Sequence, residues 1–327
     1  MSKDVHSTAR TSAALTLEVF SDEGLDELHR ATLAVLERTG VYVQADDAVD
    51  ILVSGGCRVD RETRIVQIPA DVVEEALRAA PATVRFAGRS EEFDVVVGGD
   101  RIGFQNFGIA PNVVDPVTRQ RRPSTKADVA DAARLCDALP EIDIFEMAMS
   151  AEDTPPATAN VHSVEAALTA GRKPVCAATL TAAETEACID MAAAIVGDRE
   201  ALRERSLIYA GVCPVSPLHL TRELTEPAIA MAKAGLINSF ISEALSGATA
   251  PVTVAGTLVV HNAEVLASIT LAQLVRRGTP CVYGGTTGPM DLRYATASVG
   301  APEFALCSAG LTQLARRYEL PTMLAGM

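Results

Sequence analysis

The chain has no tryptophan and few other aromatic residues: 5 tyrosines and 8 phenylalanines among 327 residues. A pocket walled by many rings is therefore excluded, and a site can recruit one or two at most. Lysine and arginine number 28 against 42 aspartates and glutamates, a formal charge of −14. Without a basic excess, neither a nucleic acid nor an acidic membrane surface is expected as a partner. The seven cysteines, scattered from Cys57 to Cys307, contain no CxxC pair. An odd, dispersed set of this kind points to reduced, mostly buried thiols and a cytoplasmic location. The histidines His6, His29, His162, His219 and His261 form no HxxxH pair. Cys213 and His219 stand six apart but bring no further ligands, so no metal is expected. No GxGxxG or GxxxxGK follows any predicted strand, which leaves no nucleotide-phosphate cradle. Residues 1–14 lack the apolar run of a signal peptide, and no segment reads as long and apolar enough to span a bilayer.

What is present is an alanine-, valine- and leucine-rich chain, 48% hydrophobic, as suits buried parallel strands covered by small-residue helices. Ser21 is placed to cap a helix with Leu25, Leu28, Thr32, Val35 and Leu36 on one face, ended by Gly40. Residues 57–69 read as a hairpin turning at residues 60–63, and residues 71–80 as a helix stopped by Pro81. This irregular stretch is assigned to an N-terminal α+β subdomain, residues 1–98.

From residue 99 to 327 the rhythm is regular. Strands are predicted at 142–147, 175–179, 207–212, 237–242, 281–283 and 322–325, with 102–107 as a possible seventh. Between them lie helices begun by Ser124 and by a Thr181–Glu184 capping box, then helices over 225–234, 255–277 and 302–318. Such alternation means parallel βαβ units. Their even spacing favours a TIM (β/α)8 barrel, incomplete at the C-terminus, over a doubly wound sheet. Chemistry on a barrel sits where strands end, which draws attention to Glu146, Ser150, Thr179, Cys213, Glu243 and Tyr283.

Two stretches carry a family likeness: residues 246–284, SGATAPVTVAGTLVVHNAEVLASITLAQLVRRGTPCVYG, with the GTTGPMDLRYATASVGAPEFAL that follows, and residues 107–143, beginning FGIAPNVVDPVTRQRRPSTKADV. They resemble the trimethylamine methyltransferase family, within the trimethylamine and glycine betaine methyltransferase superfamily. The resemblance implies a TIM barrel that passes a methyl group from a tertiary or quaternary amine to the cobalt of a separate corrinoid protein. It implies a small amine as substrate, a corrinoid protein as partner, and no cofactor bound tightly by this chain. A homo-oligomer is also expected.

For such a substrate Glu243 is the most interesting acid, since it follows an apolar strand and precedes the small-residue loop SGATAPVT. It is assigned to hold the amine cation, the alternative being a salt bridge to a barrel arginine. Tyr283, and with less support Phe107 in the NFGIAPN loop, are candidates to face the cation with a ring, worth about 0.5–2 kcal/mol. Glu264 and His261, beside Asn262 near the start of the long helix, complete the candidate amine site; the alternative for them is helix capping or packing. Gly284, Gly285 and Gly288 are read as room for the incoming corrinoid.

An amine leaves readily only from a cationic nitrogen, so the protein's task is orientation and exclusion of water, with no general base required. Glycine betaine or another quaternary amine is the alternative substrate, and a non-catalytic amine-binding barrel the alternative function. An aldolase-like barrel would want a lysine at a strand end, and Lys173 precedes its strand.

With about six of eight barrel strands accounted for by Met327, the sequence is expected to continue beyond an in-frame amber codon. The resemblance supplies the reason, since trimethylamine members carry amber-encoded pyrrolysine on a late barrel strand. The catalytic residue would then follow Met327. Mass spectrometry of the native protein tests this: a longer chain with an amber-encoded residue 328 is expected, and a mass near 34.3 kDa refutes it.

Overall fold

The computed structural model describes residues 17–99 and 101–325. The expectations for residues 1–14, and for Met327 as the end of a strand, lie outside the described residues. Five strands, Val175–Cys176, Ile208–Val212, Ile237–Ser242, Cys281–Gly285 and Thr322–Leu324, form one parallel sheet in chain order. The sheet curls through 193° into an open half-barrel. Beyond its first strand, Phe145 bridges Val175 and Gln105 bridges Ile144, both in parallel. The predicted segments 142–147 and 102–107 thus join the sheet's path, but pair too sparsely to be continuous strands.

Both faces of the sheet are buried, as parallel strands between helices and a barrel interior must be. Phe240, Cys281 and Tyr283 face the helical layer. Tyr209, Ile237 and Val282 face inward, with Ile144 and Cys176. The hairpin of Val84–Phe86 and Val95–Val97 closes this inner cluster at the strands' N-terminal end, adding Val84, Phe86 and Val95. Phe86 meets Tyr209 edge to face with centroids 5.1 Å apart. At the foot of that hairpin Asp94, 1% exposed, accepts from Gly88 N at 2.9 Å. Its carboxylate also pairs with Arg85 at 2.8 Å and Arg205 at 3.0 Å.

The N-terminal region carries its own four-stranded sheet, in the order His219–Leu220, Val41–Val43, Ile65–Gln67 and Arg58–Asp60. Its first member comes from the loop after Ile208–Val212, so backbone hydrogen bonds stitch this region to the barrel.

Local signals set the helix ends. Ser21 caps Asp22–Ala34 through Gly24 N, and Gly235, with φ +75°, closes Arg222–Ala234 in the left-handed region that favours glycine. Three expectations need correction. The cap of Lys126–Ala138 is Thr125, which shares a capping box with Asp128; Ser124 donates to the Ser150 carbonyl at 2.7 Å instead. Thr181 does cap Ala182–Val196, but the Glu184 carboxylate turns to Leu180 N and Asn160. The helix Val254–Val275 is, by length and mean hydropathy of 1.5, apolar enough to cross a bilayer; 78% of that window is buried, so the composition here is that of a core helix.

Replacing Asp94 with alanine leaves two guanidinium groups and the Gly88 amide without their acceptor. A loss of about 1–3 kcal/mol is expected, since both guanidinium groups keep access to water, read as a lowered thermal midpoint; an unchanged midpoint would deny the hairpin its anchoring role.

Candidate functional site

Strand alternation decides which side chains meet at the mouth of the half-barrel. Counting by twos, Ile237, Ser239 and Ile241 point inward, and Glu243 continues that row past the strand end. The same count through Tyr209 and Gly211 reaches Cys213. Opposite them stands Glu146, whose backbone is gripped by the Asn106 side chain: Asn106 Nδ2 donates to the Glu146 carbonyl at 2.7 Å, and Glu146 N donates to Asn106 Oδ1 at 2.9 Å.

Glu146 is half-buried. Burial pushes its carboxyl above the ordinary value of 4.5, against the pull of hydrogen bonds from Tyr209, Cys176 and Met147 N. Tyr209 donates to Glu146 Oε2 at 2.7 Å, with Gln105 Oε1 3.3 Å from the same hydroxyl. A Cβ at Gly211 would come within 2.9 Å of Cys176 Sγ, so glycine there makes room for the thiol. Glu243 is exposed, and partial desolvation raises its carboxyl too. Between the two acids lies Cys213, the exposed one of seven free cysteines. Burial, then the charges of Glu146 and Glu243, push its thiol up to about 11. Neither carboxylate forms an ion pair among the described residues, and the salt bridge weighed for Glu243 is not formed there.

Phe107, the neighbour of Asn106 in the chain, is 77% exposed. The other proposed site residues lie elsewhere. Tyr283 is fully buried with its ring on the helical side, where its hydroxyl donates to Asn262 Oδ1 at 2.9 Å. Asn262 donates onward to Tyr318 at 2.8 Å and Thr32 at 2.9 Å. His261 is fully buried too; its Nδ1 lies 2.7 Å from Thr287 Oγ1, and burial pushes its pKa down to about 3, so it stays neutral. Glu264, fully buried, accepts from Ser216, Leu218 N and Ser242. These three stand well inside Val254–Val275, not near its start, so helix capping is not their role.

The three glycines differ from expectation in what fills the space beside them. A Cβ on Gly284 would meet Ile241, one on Gly285 the His261 ring, and one on Gly288 the Phe304 ring. The room they leave is taken by this chain. Lys173 donates to the Cys136 and Leu139 carbonyls at 2.7 and 2.6 Å, far from any Schiff-base duty. Among the described residues no three His, Cys, Asp or Glu side chains gather as a metal site.

The cluster of Glu146 with Tyr209, Cys176 and Gln105 is the part that sequence reading missed. Glu146 stood out only as a strand-end residue, and its partners come from three other segments. Arranged this way, the mouth offers two carboxylates without a counter-cation and a protonated thiol. That suits a small organic cation.

A family model described as trimethylamine methyltransferase (MTTB) matches residues 2–327. The chain is 41% identical over 307 residues to trimethylamine methyltransferase MttB of Desulfitobacterium hafniense, covering 94% of this chain and 62% of that protein. It is 36% identical to MttB of Methanosarcina thermophila (95% and 65%) and 28% identical to glycine betaine methyltransferase of D. hafniense (94% and 64%). The chain thus spans less than two thirds of the length of these relatives. Among solved structures, the monomethylamine methyltransferase MtmB of Methanosarcina barkeri shares the fold, with a TM-score of 0.54 at 14% identity, over 92% of this chain and 65% of that one.

The raised carboxyl of Glu146 has a thermodynamic consequence. An acid whose folded pKa exceeds its unfolded value is destabilising once ionised. The penalty is absent below about pH 4.5 and grows as pH rises through the window up to the raised value. Glu146→Gln is therefore expected to raise the thermal midpoint at neutral pH and to lose that advantage near pH 4. An equal gain at both pH values would show that ionisation is not the cause.

Proposed function

Because this chain belongs to the trimethylamine methyltransferase family, we propose that it binds trimethylamine and presents a methyl group to the cobalt of a cognate corrinoid protein. The observation that carries this reading is that Glu146 and Glu243, without an ion pair among the described residues, stand at strand ends on either side of that of Cys213. An ammonium centre seated there supplies the missing positive charge. The exposed ring of Phe107 adds a cation–π face. Displacement at a methyl carbon needs a neutral amine to depart, so holding the nitrogen in its cationic form lowers the barrier. The partner's corrinoid supplies the nucleophile that accepts the methyl group. This chain's residues bind, orient and shield. Tyr209, by donating to Glu146, fixes the direction of that carboxylate.

The higher identity to the trimethylamine enzymes favours trimethylamine; the 28% likeness to glycine betaine methyltransferase keeps a quaternary amine as the second reading. Six buried thiols and no disulfide fit the cytoplasm as the place of work.

Two measurements test the proposal. Mixed with reduced corrinoid protein, the native protein should give the methyl-cobalt absorption spectrum with trimethylamine and not with glycine betaine; the reverse order would select the second reading, and silence across a broad amine panel would remove both. Tetramethylammonium, whose charge does not titrate, should bind more weakly as pH falls through the raised carboxyl values, because protonated acids offer no charge. Glu243→Gln should weaken that binding about tenfold, a loss of about 1.4 kcal/mol, without lowering the thermal midpoint, since no ion pair is broken and a desolvated charge is removed. A lowered midpoint with unaltered affinity would make Glu243 a structural residue.

A further inference from the structure

We propose that Glu264 is a positioning residue that ties the loop of residues 213–218 to the end of the strand Ile237–Ser242, holding Cys213 and Glu243 in fixed relation. The role rests on the reading of the mouth as an amine site. Glu264 projects from the middle of an apolar helix and is fully buried. It has no cationic partner among the described residues. Burying a carboxylate in that way is costly, and an apolar residue would serve the helix better unless the oxygens had a task.

Their partners define the task. Oε1 accepts from Leu218 N at 2.8 Å, and Oε2 accepts from Ser216 Oγ at 2.8 Å and Ser242 Oγ at 2.6 Å. Two of these donors belong to the loop that begins at Cys213. The third directly precedes Glu243. One carboxylate therefore spans two adjacent strand ends, each carrying a residue of the mouth.

The loop is braced on one side by a Val215–His219 bridge, with bonds of 2.9 and 3.0 Å, and by pairing of His219–Leu220 with Val41–Val43; Glu264 ties it on the other side to the helix Val254–Val275. Cys213 is exposed and Val215 is 52% exposed. Leu218 adopts φ +58°, a left-handed conformation that a leucine takes up only when contacts on both sides impose it. Its amide is held by Glu264, and its carbonyl accepts from Tyr42 N at 2.9 Å. Released from Glu264, the loop keeps its Val215–His219 bridge and its bond to Tyr42 but loses both ties to the helix, and Cys213 is held less firmly relative to both acids.

A glutamine at position 264 cannot accept from all three donors, because its amide nitrogen brings hydrogens of its own. The test uses the whole chain with Glu264→Gln, and with Ser216→Ala and Ser242→Ala as milder variants that each remove one arm. Amide exchange at Leu218, alkylation of Cys213 by iodoacetamide and tetramethylammonium affinity are read by mass spectrometry and calorimetry. In Glu264→Gln, exchange and alkylation should each quicken about tenfold and binding weaken about fivefold, with smaller changes in the same direction for the serine variants. Unchanged exchange and alkylation in every folded variant would overturn the tether. Faster exchange with unaltered affinity would reduce Glu264 to a structural acceptor and overturn its positioning role. If the parent protein itself binds no tetramethylammonium, the amine reading of the mouth fails, and the exchange and alkylation rates alone then decide the tether.

Discussion

The structure around the mouth depends on one constraint: a helix buried on nearly every side must satisfy each polar group it carries from within the fold. Val254–Val275 is such a helix, and its middle holds His261, Asn262 and Glu264, all fully buried. Each reaches a different element. His261 meets Thr287 beyond the fourth strand of the sheet. Asn262 joins Tyr283 of that strand to Tyr318 and Thr32, and Glu264 holds the second and third strand ends. Apolar packing alone would let this helix slide along the sheet; these bonds fix its register, and with it the loops that form the mouth. The same network reaches the N-terminal region through Tyr318, which hydrogen-bonds His29, itself bonded to Glu74.

On the other side of the sheet the electrostatics reverse. Behind the strands Asn262 and Glu264 have hydrogen-bond partners in reach. At the floor Asp94 has two arginines. At the mouth Glu146 has only a phenol, a thiol and a backbone amide, and Glu243 lacks an ion partner among the described residues. The contrast is hard to explain by folding needs, since the floor shows that this chain supplies guanidinium groups where a buried acid requires them. Carboxylates left without a cation at the C-terminal end of a barrel are a preorganised place for one.

How much of this could be read from sequence follows from what leaves a local trace. Helix ends did, because Ser21, Thr181 and Gly235 act on backbone groups within a few residues of themselves. The strand positions did as well, as short apolar runs between helices. The helix Ala159–Ala170 did not: its residues are small and apolar on several sides, so its periodicity is faint. Tyr283 was placed on the wrong face for a related reason. In a strand buried on both sides, Cys281, Val282 and Tyr283 are equally apolar, and alternation gives no sign of which way is inward. Glu264 drew attention beside His261 and Asn262 at the expected start of the long helix, but its burial has a cause of its own. The cause lies 22 to 48 positions back along the chain, in Ser242, Leu218 and Ser216, and only the fold brings those donors to it.

The two kinds of acid explain each other. A cation-binding acid must stay incompletely satisfied, for any donor that stabilises it strongly also weakens its pull on a ligand. Such an acid tends to drift toward whatever donor its surroundings offer, and a loose loop offers many. Glu264 takes the opposite part: it is saturated with donors, and by saturating them it removes Ser216, Ser242 and the Leu218 amide from competition for the mouth. Glu146, with three neutral donors of its own, and Glu243 are left without a cation in front of the sheet. The desolvation borne by Glu146 and Glu243 is then offset when a cation arrives, and a neutral molecule of the same shape offers no such compensation. On the proposed amine reading, selectivity for charge is in this way stored in the unliganded fold, as a cost carried by the strand ends.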